Sequence, residues 1–256
     1  MPLTKQLFFI WREVIDIIFP IECLGCKQEG KWLCEKCCRT IPINTEPYCL
    51  SCKTKTAFGE FCKKCKSNYN LDGVFIASDY DHELIKQGIK TLKYRFVYDI
   101  SQELSQLLIL FIQEQIRKSK SAEWLPVDNF YQSPTVIKKF FEAIVIPVPL
   151  HPKRLRWRGF NQAEKLSENF FKFFNLNSNS QNFRRIIHTK SQAKLNEQDR
   201  KDNLKNCFAW QGDNLQNKNI ILIDDVCTTG HTLEECAKVL KQAGAGEVWG
   251  LVVAKG

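Results

Sequence analysis

Apolar residues change their spacing along the chain, and each change predicts an element. Within Leu3–Phe19, Leu7, Trp11, Val14, Ile15 and Ile18 fall on one helical face. After Cys65 the pattern becomes that of an ordinary globular fold. Gly73–Asp79 reads as a strand, and His82–Tyr94 and Ile100–Arg117 read as helices. In the second helix Leu104, Leu107, Leu108, Phe111 and Ile112 form the buried side. Residues 118–135 are polar and carry Pro126 and Pro134, which predicts a loop or insertion. Strand Ala143–Val148 follows and runs into Pro-Val-Pro. Next come helix Phe160–Phe174, with Phe170, Phe171, Phe173 and Phe174 as apolar bulk, and a short strand at Phe183–Ile187. His188–Lys205 is a polar connector that could close over a ligand. Strand Asn219–Asp224, helix Thr232–Ala243 (Leu233, Ala237, Leu240) and strand Val248–Ala254 complete the chain. Strands alternating with helices imply an α/β fold with a mostly parallel sheet flanked by helices.

Length and charge narrow the classes. At 256 residues the chain can hold a small unit at 1–70 and an ordinary domain at 71–256. An apolar fraction of 44% supports a real core and excludes wholesale disorder. The net charge of +9 favours polyanionic partners: nucleotides, nucleic acid or a membrane surface. No segment reaches the roughly 18 consecutive apolar residues of a spanning helix. Leu3–Phe19 is broken by Arg12, Glu13 and Asp16 and lacks a small-residue cleavage site, so it makes a poor signal peptide. A cytoplasmic location is the default expectation, with peripheral contact at the inner membrane face as the minority reading.

Nine of the twelve cysteines lie between Cys23 and Cys65. Eight form Cys-x-x-Cys pairs: Cys23/Cys26, Cys34/Cys37, Cys49/Cys52 and Cys62/Cys65. Each such turn aims two thiolates at one centre, and two turns complete the tetrahedral shell of Zn²⁺. Two four-cysteine zinc sites are expected, all-thiolate and therefore structural. A disulfide module conflicts with the expected reducing compartment, and a thioredoxin-like motif would need one pair in a βαβ setting. Sequential pairing of the turns is favoured over a cross-brace because each half repeats one layout. Cys38 is left as a spare thiol.

The chemistry concentrates at residues 220–232, where an apolar strand ends in Asp224-Asp225 and runs through Val-Cys-Thr228-Thr229-Gly230-His-Thr232 into a helix. Strand, turn and helix in that order place backbone N–H groups around a small anion. An ordinary helix cap would need one Asp and none of the Thr-Thr-Gly-x-Thr run. Acids beside an anion cradle suit a sugar phosphate: the turn takes the phosphate and the carboxylates accept from sugar hydroxyls. The stretch resembles the ribose-phosphate loop of type I phosphoribosyltransferases, which bind phosphoribosyl pyrophosphate (PRPP). That resemblance makes Asp224 and Asp225 the ribose contacts, and Thr228, Thr229, Gly230 and Thr232 the 5′-phosphate cradle. Upstream, Lys153, Arg154, Arg156 and Arg158 follow a strand's C-terminal end and suit a pyrophosphate or a nucleic-acid backbone. A basic surface loop is the plain alternative.

Four features stand in order: the cysteine pairs, Val-Pro-Leu-His-Pro running to Arg-Gly-Phe-Asn-Gln, Arg200-x-x-Asn203-Leu204-x-x-x-Phe208, and Asp-Asp-Val-x-Thr-Thr-Gly-x-Thr. Together they resemble the ComF family of bacterial competence-related proteins over nearly the whole chain, with 118–135 the weakest stretch. The resemblance implies a double zinc-ribbon region joined to a type I phosphoribosyltransferase-like domain. It also implies PRPP with Mg²⁺, Zn²⁺, single-stranded DNA and other DNA-uptake proteins as cofactors and partners. Arg200 joins Lys153, Arg154 and Arg158 as a pyrophosphate or nucleic-acid candidate. Two function classes stay open. One is a PRPP-binding protein of natural transformation; the other is an active phosphoribosyltransferase with an unidentified, nucleobase-like acceptor.

Overall fold

The computed structural model describes residues 20–95, 97–119, 135–179, 181–189 and 204–256. The helical face at Leu3–Phe19, most of the 118–135 insertion, Arg200 and Asn203 lie outside the described residues. Five parallel strands form the central sheet: β1 (Gly73–Asp79), β2 (Ile144–Pro147), β3 (Asn177–Ser178), β6 (Ile220–Cys227) and β7 (Val248–Lys255). Their spatial order is β1-β7-β6-β2-β3, so β6 is central. A separate antiparallel pair joins β4 (Phe183–Arg185) to β5 (Phe208–Trp210).

The helices are α1 (Glu35–Cys38), α2 (Glu83–Tyr94), α3 (Ser101–Ser119), α4 (Thr135–Phe141), α5 (Pro152–Arg158), α6 (Gln162–Phe174) and α7 (His231–Gln242). Alternate residues of a strand point to opposite faces, and this period divides the core in two. Phe75, Val145, Ile221, Ile223 and Leu251 face one side with Ile89, Leu104, Leu107 and Phe170 of α2, α3 and α6. Val74, Ile146, Ile220, Leu222 and Val252 face the other with Leu233, Ala237 and Leu240 of α7. Gly88 lets α2 approach α3: a Cβ there would stand 3.3 Å from Leu104 Cδ2.

Several boundaries differ from those the sequence predicts. The predicted strand Asn219–Asp224 continues to Cys227, so both acids lie inside β6 rather than closing it. Ladder pairing with β7 carries it on, since Val226 and Cys227 register with Ala254 and Lys255. The predicted strand Phe183–Ile187 stops at Arg185, leaving Ile186 and Ile187 exposed. Of the four phenylalanines assigned to the apolar bulk of α6, Phe170 and Phe174 are buried but Phe173 is exposed. A thirteen-residue helix against one sheet face buries one stripe, and Phe173 falls off it. The basic segment is the short helix α5 rather than a loop. Pro152 opens it, His151 Nδ1 accepts from Lys153 N at 3.1 Å, and Gly159 (φ 78°) ends it.

Candidate functional site

The eight paired cysteines gather into two groups, Cys23/Cys26/Cys34/Cys37 and Cys49/Cys52/Cys62/Cys65. Within each, all four Sγ atoms lie within 4.8 Å of one another, and the Cys26–Cys34 and Cys52–Cys62 pairs each stand at 3.5 Å. Zn–S bonds of ~2.3 Å in a tetrahedron place thiolates ~3.8 Å apart, so both groups fit Zn²⁺. The grouping is sequential, and no cross-brace forms. Cys38 belongs to neither group. Burial and the neighbouring Glu103 raise its thiol pKa.

A second constellation lies at the C-terminal ends of β2 and β6, where open parallel sheets take their ligands. It is a cleft of about 570 Å³, bordered by Asp224, Asp225, the turn 226–230, the start of α7, and side chains from α2, α5, α6 and β4. That volume suits a nucleotide-sized ligand. Val148 N donates to Ile223 O at 2.9 Å, which brings the segment leading into α5 beside the two acids. Asn161 then fixes the entry to α6, donating to Val148 O at 3.1 Å and accepting from Ala163 N.

Because successive strand residues alternate, Asp224 and Asp225 point to opposite faces of the sheet. Asp225 is buried at 4% exposure and pairs with Lys93 Nζ at 2.6 Å, from the last turn of α2. Burial opposes the lysine's charge, but Asp225 and then Asp224 outweigh it and hold its pKa above the ordinary value. Asp224 has no such direct partner among the described residues. Its burial, reinforced by the charge of Asp225, pushes its carboxyl pKa from 3.8 up to about 8. One carboxylate is therefore paired with a lysine, while burial and that neighbouring charge hold the other's pKa well above the ordinary carboxylate value.

The turn supplies the opposite electrostatics. Gly230 caps α7 at φ 83° and offers no side chain to its N–H groups. A helix N-terminus without a side-chain cap, together with the helix dipole, favours negative charge at this edge of the cleft. Thr229 Oγ1 and His231 Nδ1 lie 3.1 Å apart on the same turn. The cleft's opposite wall is cationic. Arg154 donates to Thr189 O at 3.2 Å, and Arg158 donates to Gln162 Oε1 at 2.7 Å. Arg185, 6% exposed, donates to Thr189 Oγ1 at 2.6 Å and sits 5.3 Å from the Phe208 ring centroid. Its Nε, like that of Arg158, has no hydrogen-bond partner among the described residues.

Of the residues predicted from sequence, Asp224, Asp225, Thr228, Thr229, Gly230, Thr232, Arg154 and Arg158 border this one cleft. Lys153 is exposed on α5 and is not part of its wall. Sequence reasoning missed Lys93 and Arg185. Lys93 is the polar end of an amphipathic helix, and nothing local distinguishes it from Lys90. Arg185 carried a signal, a cation on the buried face of a short strand next to Phe183.

The molecule is thus an α/β protein with a double zinc ribbon and, at the sheet's C-terminal edge, a cleft lined by paired acids and arginines. Residues 14–66 match the double zinc ribbon domain family. Competence protein F of Haemophilus influenzae is 31% identical over 243 residues, covering 91% of this chain and 97% of that protein. Competence protein ComFC of Streptococcus pneumoniae is 26% identical over 226 residues, 87% of each chain. DNA utilization protein YhgH of Escherichia coli K12 is 35% identical over 107 residues, covering 41% of this chain and 47% of that protein. The chain belongs to the ComF family.

Proposed function

We propose that the cleft binds PRPP, as its Mg²⁺ complex, and that the protein serves DNA uptake by handling incoming single-stranded DNA. The observation that carries the ligand is the pairing of opposites within one cleft. Asp224 and Asp225 stand between an uncapped helix N-terminus and a wall of Arg154, Arg158 and Arg185. A plain phosphate site has no use for the acids, and a cation site has no use for the arginines. A ribose carrying a phosphate at one end and a pyrophosphate at the other uses both. The 5′-phosphate would take the N–H groups of the Thr228–Thr232 turn, the ribose hydroxyls the carboxylates, and the pyrophosphate the guanidinium forks. Mg²⁺ would accompany the pyrophosphate and offset its charge.

The names of the relatives support the cellular role, because competence and DNA utilization are DNA-uptake functions. The cleft's rim supports the nucleic-acid partner. Tyr94 and Trp157, 60% and 61% exposed, each lie 5.8 Å from the Arg158 guanidinium. Exposed aromatics around a cation suit base stacking beside a phosphate backbone. Arg200 is a further proposed contact for that backbone, and other DNA-uptake proteins are its proposed partners. A cytoplasmic position, at or near the inner membrane face, is the location this reading requires. Among the described residues no helix is long and apolar enough to cross a membrane.

Calorimetric titration of the zinc-loaded protein with PRPP and Mg²⁺, then with ribose 5-phosphate and pyrophosphate separately, tests the ligand. PRPP binding more tightly than either fragment is expected. Pyrophosphate binding as tightly as PRPP would leave the acids without a role and refute the reading.

A further inference from the structure

The two cysteine groups are nearly identical in spacing, but they are docked on different parts of the molecule. The first group sits at the face of α2 and α3. A Cβ on Gly25 would stand 3.3 Å from Leu84 Cδ2, and Leu24 and Trp32 pack on the core formed with those helices. The segment joining the two groups runs along β1 and α3: Asn44 N donates to Ala77 O at 2.8 Å, and Lys118 Nζ to Thr45 O at 2.7 Å.

The second group sits on the anion turn. Leu50, between ligands Cys49 and Cys52, places Cδ2 2.6 Å from where a Cβ on Gly230 would stand. Leu50 and Cys49 are buried together with Cys227 and Leu233, the residues on either side of that turn. A second clamp lies just beyond the last ligand of this group, Cys65. Asn70 N and Leu71 N donate to the Glu234 carboxylate at 2.9 and 3.0 Å, and Asn70 Nδ2 adds a bond at 2.7 Å. Glu234 is in the first turn of α7, so the second group and the segment that follows it hold both the turn and the helix that it opens.

A glycine at the crest of a turn brings freedom as well as access. With φ at 83° and no side chain, Gly230 cannot anchor the loop that presents the N–H groups. Leu50 fills the space where a side chain would stand and limits the loop from outside. Its own position depends on the knuckle formed by Cys49 and Cys52, which a bound metal would hold closed.

We infer that Leu50 is a positioning residue for the anion turn, and that metal occupancy of Cys49/Cys52/Cys62/Cys65, not of Cys23/Cys26/Cys34/Cys37, sets the turn's order and affinity. Applied to the 5′-phosphate, this rests on the PRPP reading; the ordering of the turn does not. Thiol oxidation or metal loss at the second group would loosen the ligand site without touching any residue that lines the cleft.

The test uses the full zinc-loaded chain and two substitutions that spare all eight ligands, Leu50→Ala and Leu24→Ala. Zinc content, hydrogen exchange of amides 227–234 without ligand, and PRPP·Mg²⁺ affinity are measured on each. Leu50→Ala should keep two zinc ions, speed exchange at the turn and weaken binding, the last two by about tenfold, a part of the cost of truncating a buried leucine. Leu24→Ala should change neither the turn nor the affinity. If Leu50→Ala sheds zinc, Leu50→Val gives the same readouts with a smaller cut in side-chain volume. Wild-type exchange and affinity in a zinc-replete Leu50 variant overturn the inference, as does equal loosening by Leu24→Ala. Absence of PRPP binding in the wild type would defeat the ligand assignment alone, because the exchange comparison still decides the coupling.

Discussion

Replacing Asp224 with Asn should stabilise the ligand-free protein while destroying its site. The folded state raises this carboxyl from 3.8 to about 8, through burial and then the charge of Asp225. Below pH 4 the group is protonated both folded and unfolded, and it contributes nothing. As pH rises from about 4 toward 8 the unfolded chain releases the proton while the folded one holds it, so stability falls across that window and levels above it. That displacement sets a ceiling of roughly 6 kcal/mol. Asp224 borders an open cleft, and solvent screening reduces the expected effect to about 2 kcal/mol. Asn keeps the shape and the acceptor for Asp225 N, which Asp224 Oδ1 now accepts at 2.8 Å, and removes the charge. Thermal melts of zinc-loaded wild type and Asp224→Asn at pH 5, 7 and 8.5 should separate progressively, by about 4–8 °C at the top of the range. Calorimetry should show PRPP affinity reduced at least tenfold in the same variant, about 1.4 kcal/mol. A variant no more stable than wild type at pH 8.5, or a gap that narrows with rising pH, would refute the electrostatic reasoning.

Three further outcomes follow from the same geometry. Lys93→Met leaves Asp225 buried without its cation and should cost about 3 kcal/mol in urea unfolding. A loss below about 1 kcal/mol would show that the pair contributes no more than an exposed one. Charge reversal at Arg154 and Arg158 should weaken single-stranded DNA binding and flatten its dependence on salt, whereas Lys153→Glu, off the cleft wall, should have a smaller effect. Fluorescence anisotropy with a labelled oligonucleotide checks this, and an unchanged salt slope would remove α5 from the nucleic-acid surface. Chelation should unfold the ribbon and lower the melting temperature, with recovery on adding Zn²⁺ but not Mg²⁺, because only thiolate ligands face each site. Recovery with Mg²⁺ would contradict two all-thiolate centres.

The sequence made visible what depends on short-range pattern. Four equal cysteine spacings named both metal sites, and a strand running into paired acids and a Thr-Gly turn named the cleft's floor. What it concealed depends on distant parts of the chain meeting. Lys93 is one of several lysines on an amphipathic helix, and only α2 packing against the sheet delivers it to Asp225. Arg185 became a wall of the cleft because β4 pairs with β5 rather than joining the main sheet. Leu50 looks like filler between two ligands until the ribbon folds back onto Gly230. The two-residue β3 shows a related limit: a strand this short carries no period of its own and is defined by its neighbour, whereas the four-residue β2 lies within the predicted strand Ala143–Val148.

The most direct test of the central claim is PRPP·Mg²⁺ calorimetry on the zinc-loaded double variant Asp224→Ala/Asp225→Ala beside the wild type. Saturable binding by the wild type and none by the double variant are expected, with two zinc ions retained in both. Wild-type affinity in the double variant would mean that the acids of β6 do not hold the ribose, and the site assignment would be wrong.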